Sequence, residues 1–261
     1  MSVPLVFLHG WAMSGAVFDG VKTLLGPGFD CHAPDLPGHG SRELDEPSLA
    51  RCVEVVSGIV NQMDHPVLVG WSMGAAIAWQ YLLQEGSRNL SGLVTIDMSP
   101  RLLPDDQWAF GLGGQNTEAV LSTSSKIEFQ WRGMVDNILH NMYAPNAAEE
   151  ANEAKMRALL LRQDPAALRP IWDELVAMDA RQSIAAIDIP YLVCAGAKSR
   201  LYDPDVAYWI ERHSPMAEVQ IFRNSGHSPH LEEPEAFCDA IRRFVTTLES
   251  TNAESRRTPT Q

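Results

Sequence analysis

The sequence predicts an α/β protein: a mostly parallel sheet of about six strands with helices on both faces. Short apolar, β-rich runs alternate along the chain with longer segments of helical periodicity, the pattern of a parallel sheet with crossover helices. The rhythm breaks once, from about Pro100 to Ala186, where no strand pattern occurs. Gly-, Ser- and His-bearing motifs fall just beyond several strand runs, where an open parallel sheet gathers its ligands.

The elements follow in order. Val3–Leu8 (VPLVFL) reads as the first strand, Phe29–Ala33 (FDCHA) as a weaker second and Pro66–Val69 (PVLV) as a third. Leu90–Ile96 (LSGLVTI), Pro190–Ala195 (PYLVCA) and Glu218–Phe222 (EVQIF) complete six. Helices are expected near 15–25, 48–63, 73–85, 204–213 and 234–248. Between 100 and 186 two helical patterns stand out, around 126–142 and 165–178, separated by Asn/Ala/Glu-rich and Pro-containing breaks. That interval is too long for a loop and too helical for disorder, so it reads as a helical cap inserted in the sheet domain. The expected organisation is a core of 1–99 and 187–249, a cap of 100–186 and a polar, disordered tail of 250–261.

The 261 residues suit one large α/β domain with an insertion. Hydrophobic residues are 45% and charged residues 20%, ordinary for a globular protein. Twenty Lys and Arg against 33 Asp and Glu give a net charge of −13, which argues against nucleic acid or an anionic membrane as partner. Cys31, Cys52, Cys194 and Cys238 are far apart and form no CxxC pair, so free thiols in a reducing compartment are expected. The start, MSVPLVFLHG, has neither the basic region of a signal peptide nor the length of a membrane span. Cytoplasm is the default location.

Gly70-Trp71-Ser72-Met73-Gly74 fits G-x-S-x-G, with a strand leading in and a helix leading out. A serine on that tight turn is held strained with its oxygen exposed, as a nucleophile needs. The plain alternative is a Gly-rich turn with a capping serine. Leu8-His9-Gly10-Trp11 follows the first strand. Its Trp11 N–H, with that of Met73 after the serine, would make an oxyanion hole; the alternative is a turn with a buried indole. Asn224-Ser225-Gly226-His227-Ser228 follows the last strand, which makes His227 the candidate base ahead of His230 and His213.

Taken together, HGW, DLPGHG (Asp35–Gly40), GWSMG and SGH resemble the α/β-hydrolase superfamily over nearly the whole chain. The first half, FLHGWAMSG to LVGWSMG, is similar to the carboxylesterases of biotin synthesis that demethylate pimeloyl-carrier-protein methyl ester. LVTIDMSP and the GAKS turn resemble bacterial acyl esterases related to thioesterases. The resemblance implies an α/β-hydrolase fold and serine hydrolase chemistry on esters or thioesters, with no cofactor and no metal. Two departures stand out. With two residues ahead of Val3, the antiparallel hairpin with which most members begin is expected to be missing. The usual position of the triad acid, past the penultimate strand, is Ser199.

A serine offers a hydrogen bond but no charge, so the acid must come from elsewhere. Asp203 would have to loop back from beyond the turn. Asp97 ends the strand after the nucleophile helix, on the same sheet edge as Ser72 and His227, and keeps the chain order nucleophile, acid, base. Asp97 is therefore the expected acid and Asp203 the runner-up. The resemblance to the acyl esterases implies that Ser199 supports Asp97. For Asp97 the alternative is a cap ahead of Met98-Ser99-Pro100; for Ser199, an ordinary turn residue.

The cap carries Trp108, Phe110, Phe129, Trp131, Met134, Met142, Tyr143, Trp172 and Met178, some of which should line an acyl pocket while most join cap helices. Lys155, Arg157, Arg162 and Arg169 are interleaved with acids and read as a solvated face; a basic face for an acidic acyl-carrier protein or a thioester cofactor is the alternative. Other chemistry on the same fold (C–C bond hydrolysis, perhydrolysis or a lyase) and a non-catalytic binding module are the competing functions.

Overall fold

The computed structural model describes residues 2–145 and 150–257. Its sheet has six strands: β1 (Val3–Leu8), β2 (Phe29–His32), β3 (Val67–Trp71), β4 (Gly92–Ile96), β5 (Tyr191–Gly196) and β6 (Ala217–Phe222). The order is β2-β1-β3-β4-β5-β6, and every neighbouring pair is parallel. The chain runs outward from β1 to β2, then returns across β1 to β3 and continues the other way. That reversal makes a topological switch between β1 and β3, where the loops leaving the two strands diverge and open a crevice.

Successive side chains of a strand point to opposite faces. In β1, Leu5 and Phe7 join Val67 and Val69 on one face, with α1 (Asp19–Leu25) and the C-terminal helix over them. Val6 and Leu8 join Leu68 on the other, under α2 (Leu49–Val60) and α3 (Met73–Glu85). β1, β3, β4 and β5 are buried on both faces, which is why they read as continuous apolar runs. Each fully buried Leu, Ile or Phe contributes about 1.5–3 kcal/mol.

Between β4 and β5 the chain forms α4 (Thr117–Ile127), α5 (Trp131–Met142), α6 (Glu150–Leu160), α7 (Pro165–Ala177) and the short α8 (Arg181–Ile184). The two ends of this insertion lie side by side: Ala180 N–H donates to the Pro100 carbonyl at 2.8 Å, and Arg101 bridges Asp179. The helix expected around 126–142 is α5, which starts later, at Trp131; α4 before it was not anticipated. Phe129, one of the cap aromatics, sits 82% exposed in the turn between the two. The stretch read as a break is helical from Glu150, and α4 begins at an Asn116 cap whose Oδ1 accepts from Ala119 N–H at 2.8 Å.

After β5 come α9 (Asp205–His213), β6, the short α10 (Pro229–Glu232) and α11 (Pro234–Arg257). α11 continues past 248 to Arg257; the last four residues of the sequence lie outside the described ones. Cys52, Cys194 and Cys238 are buried, Cys31 half-buried, and all four are free. Among the described residues no helix is long and apolar enough to cross a membrane.

Candidate active site

Ser72 stands between β3 and α3 with φ 53° and ψ −117°, a region that costs a side-chain-bearing residue of order 1–3 kcal/mol. The flanking glycines make this turn possible. A Cβ on Gly70 would lie 2.4 Å from the Gly74 carbonyl carbon, and one on Gly74 would lie 2.1 Å from the Leu8 carbonyl oxygen. The strained turn therefore packs against the end of β1. It presents Ser72 to a cavity of about 490 Å³ between the sheet edge and the cap.

Asp97 follows β4, also with positive φ (45°). Its carboxylate is buried and takes three hydrogen bonds. Oδ2 accepts from His227 Nδ1 at 2.7 Å and from Ser199 Oγ at 2.7 Å; Oδ1 accepts from Gly196 N–H at 3.1 Å. Donation from Nδ1 fixes the tautomer and leaves the lone pair of His227 Nε2 free. Ser199 is itself held by N–H groups of Leu201 and Tyr202, both at 3.3 Å. Asp203 does not join the group. It is exposed, and its Oδ1 accepts from Asp205 N–H at 2.9 Å at the start of α9.

His227 and Ser72 line the same cavity, with no hydrogen bond between them. Such contacts are often long before substrate binds. The N–H groups of Trp11 and Met73 find no acceptor within the protein among the described residues. Met73 opens α3, whose first-turn N–H groups carry the positive end of the helix dipole. The Trp11 indole lines the cavity, donates to the Leu168 carbonyl at 2.9 Å and meets Trp131 and Trp172 of the cap. Of the expected cap side chains, Met134, Met142 and Trp172 reach the cavity, whereas Trp108 packs on Trp209.

The loop carrying His227 is fastened by residues the sequence reading passed over. Glu232 Oε2 accepts from Gly226 N–H at 2.8 Å and from Ser228 N–H at 3.2 Å, straddling His227; Oε1 accepts from Ala144 N–H at 2.6 Å, just past α5. Burial pushes the Glu232 carboxyl up despite these donors, and the Asp97 charge adds to the rise. Glu233 Oε2 accepts from Asn224 N–H at 2.9 Å and Ser225 Oγ at 2.6 Å. Trp71 Nε1 donates to the His227 carbonyl at 2.8 Å. The adjacent acids in HLEEP, beside SGH, were the available signal.

The other histidines stand apart from the reacting geometry. His230 is buried against Trp71 and Phe18 with both ring nitrogens unpartnered; burial lowers it to about 3. His213 stacks on Trp209 on the surface of α9. His9 is buried: its Nδ1 donates to the Gly10 carbonyl at 2.9 Å and its Nε2 accepts from Leu36 N–H at 3.0 Å. Burial lowers His9 to about 4 and the neighbouring His39 to about 3. In the DLPGHG motif Asp35 ties loops together, accepting from Gly15 and Ser41 N–H groups, both at 2.8 Å.

A family model described as the alpha/beta hydrolase family matches residues 5–240. The chain belongs to that family. It is 29% identical over 245 residues to a pimeloyl-[acyl-carrier protein] methyl ester esterase of Vibrio vulnificus (strain YJ016), covering 92% of this chain and 93% of that one. Among solved structures, an esterase from Exiguobacterium antarcticum superposes with a TM-score of 0.86 at 22% identity, covering 94% of this chain and 92% of the other. A bromoperoxidase from Bacillus anthracis superposes equally well, at 0.86 with 17% identity and the same coverage. At such identities the superpositions speak for the fold.

Proposed function

We propose that this alpha/beta hydrolase is a serine carboxylesterase that cleaves acyl esters through an acyl-enzyme. The observation that carries the reading is the buried 2.7 Å contact from His227 Nδ1 to Asp97 Oδ2, on the same cavity as Ser72 on its strained turn. Ser72 Oγ attacks the ester carbonyl carbon while His227 Nε2 takes its proton. The tetrahedral oxyanion is held by the N–H groups of Trp11 and Met73, each donor supplying roughly 3–4 kcal/mol. Collapse releases the alcohol, which receives the proton from His227, and leaves the acyl group on Ser72. A water then gives a proton to His227 and attacks the acyl carbon; as the second tetrahedral intermediate collapses, His227 returns that proton to Ser72 Oγ and the acid leaves. Asp97 holds the imidazole and stabilises its charged form. Ser199 keeps the carboxylate aimed.

The relatives' substrate, an acyl chain carried on an acyl-carrier protein and ending in a methyl ester, is the finer reading, and their similarity supports it. The cap offers it less: Arg157 is engaged with Asp136 and Glu153, and Arg169 with Glu128 and Asp173. Hydrolysis rates on nitrophenyl esters and acyl thioesters of graded length test the class. Wild type should turn over esters and be labelled by a fluorophosphonate, and Ser72→Ala should do neither. Labelling without turnover of any ester or thioester would move the assignment to another reaction on this fold.

A further inference from the structure

The chain has 33 carboxylate side chains, yet among the described residues none lines the cavity. One cationic side chain does, Lys126. Ala119, Thr123 and Lys126 recur at helical spacing on α4, and Met134, Asn137, Ile138 and Asn141 do so on α5. One face of each helix therefore forms the wall opposite the sheet edge. A cap that only covered an aliphatic chain would turn apolar residues inward throughout. This wall mixes the apolar Ala119, Met134 and Ile138 with a hydroxyl, two amides and an ammonium.

Lys126 is also free of acid. Its Nζ donates to Ser122 Oγ at 3.3 Å and has no ion-pair partner among the described residues. Arg157 and Arg169, which do not line the cavity, each hold two carboxylates. A cation left unpaired where acids are excluded favours a negatively charged guest.

Building on the ester-hydrolase reading, we propose that the α4–α5 wall is an anion subsite. Lys126, with Thr123 and Asn137 of the same wall, binds an oxyanion group carried by the substrate at the end remote from the scissile ester. The Trp11 and Met98 side of the cavity takes the chain between.

Binding is measured on Ser72→Ala protein by tryptophan fluorescence, since Trp11 and Trp172 line the cavity. The probes are methyl esters of straight-chain monocarboxylic acids and monomethyl esters of dicarboxylic acids of matched length. A third set, methyl esters of ω-phosphorylated hydroxy acids, separates phosphate from carboxylate. The anionic member should bind about fivefold tighter, as expected for one partly exposed charge pair. That preference should shrink at high ionic strength. Adding Lys126→Gln should erase it and Lys126→Glu invert it, whereas Lys155→Gln, away from the cavity, should leave it in place. Equal binding of neutral and anionic esters, or a preference that survives Lys126→Gln, overturns the subsite. Turnover by wild type is a separate measurement; its failure would strike the esterase reading while the binding comparison still decides this one.

Discussion

Two aspartates competed for one histidine, and each found a different use. Asp97 is buried against His227, Ser199 and the Gly196 N–H, while Asp203 caps the turn into α9 in solvent. Asp97→Asn should lower kcat by on the order of 10³–10⁴, because an amide can present an N–H to Nδ1 and select the wrong tautomer. Asp203→Asn should stay within about twofold, since it removes one exposed cap contact. Ser199→Ala should cost about tenfold in kcat, the value of one hydrogen bond to a buried charge. Steady-state kinetics on one nitrophenyl ester separates the three. The position of Asp97 was legible because a strand end in a parallel sheet has a known edge. The contact from Ser199 was not legible from spacing, because it depends on how the loop after β5 bends.

Elements hold His227 in place from three directions. Glu232 grips the backbone on both sides of it and the chain just past α5, so one carboxylate joins the β6–α10 loop to the cap. Gly226 lets that chain come close; a Cβ there would lie 2.5 Å from Ala144 N. Glu232→Gln replaces one acceptor with a donor facing N–H groups. It should lower kcat by about tenfold with a smaller change in KM, and alter the acid limb of the kcat–pH profile. A loss confined to thermal stability, with kcat and its pH profile intact, would leave Glu232 a purely structural clamp. The cap was the least readable element. The inward face of α4 carries Ala, Thr and Lys, so the hydrophobic period that marks a helix is weak there and that helix went unread.

Acid stability belongs to the whole molecule. His9, His39 and His230 are lowered by burial to about 4, 3 and 3 from 6.5. The folded state therefore binds fewer protons than the unfolded chain between those values and 6.5. Their contribution is present above about pH 6.5 and is lost as pH falls toward the folded values. Each costs about 1.4 kcal/mol per pH unit in that window, so the three together cost about 4 kcal/mol per pH unit. Glu232, whose carboxyl is raised, works in the opposite sense. Urea unfolding at pH 7, 6 and 5 should show the decline. His230→Phe should remove about a third of the slope and hold or raise stability at pH 7, because two buried unpartnered nitrogens are replaced by carbon.

Spacing along the chain was enough to place the parallel core, the turn at Ser72 and the rim where His227 lies. Those features rest on local rules: alternating periods for strand and helix, and glycines wherever backbones must pass within van der Waals distance. Folding settled the rest. Which acid met His227, what fastened its loop and which cap residues faced inward all depend on contacts between segments about 100 residues apart. Such contacts are chosen by packing and by the cost of leaving a buried polar group unpaired, and neither leaves a period in the sequence.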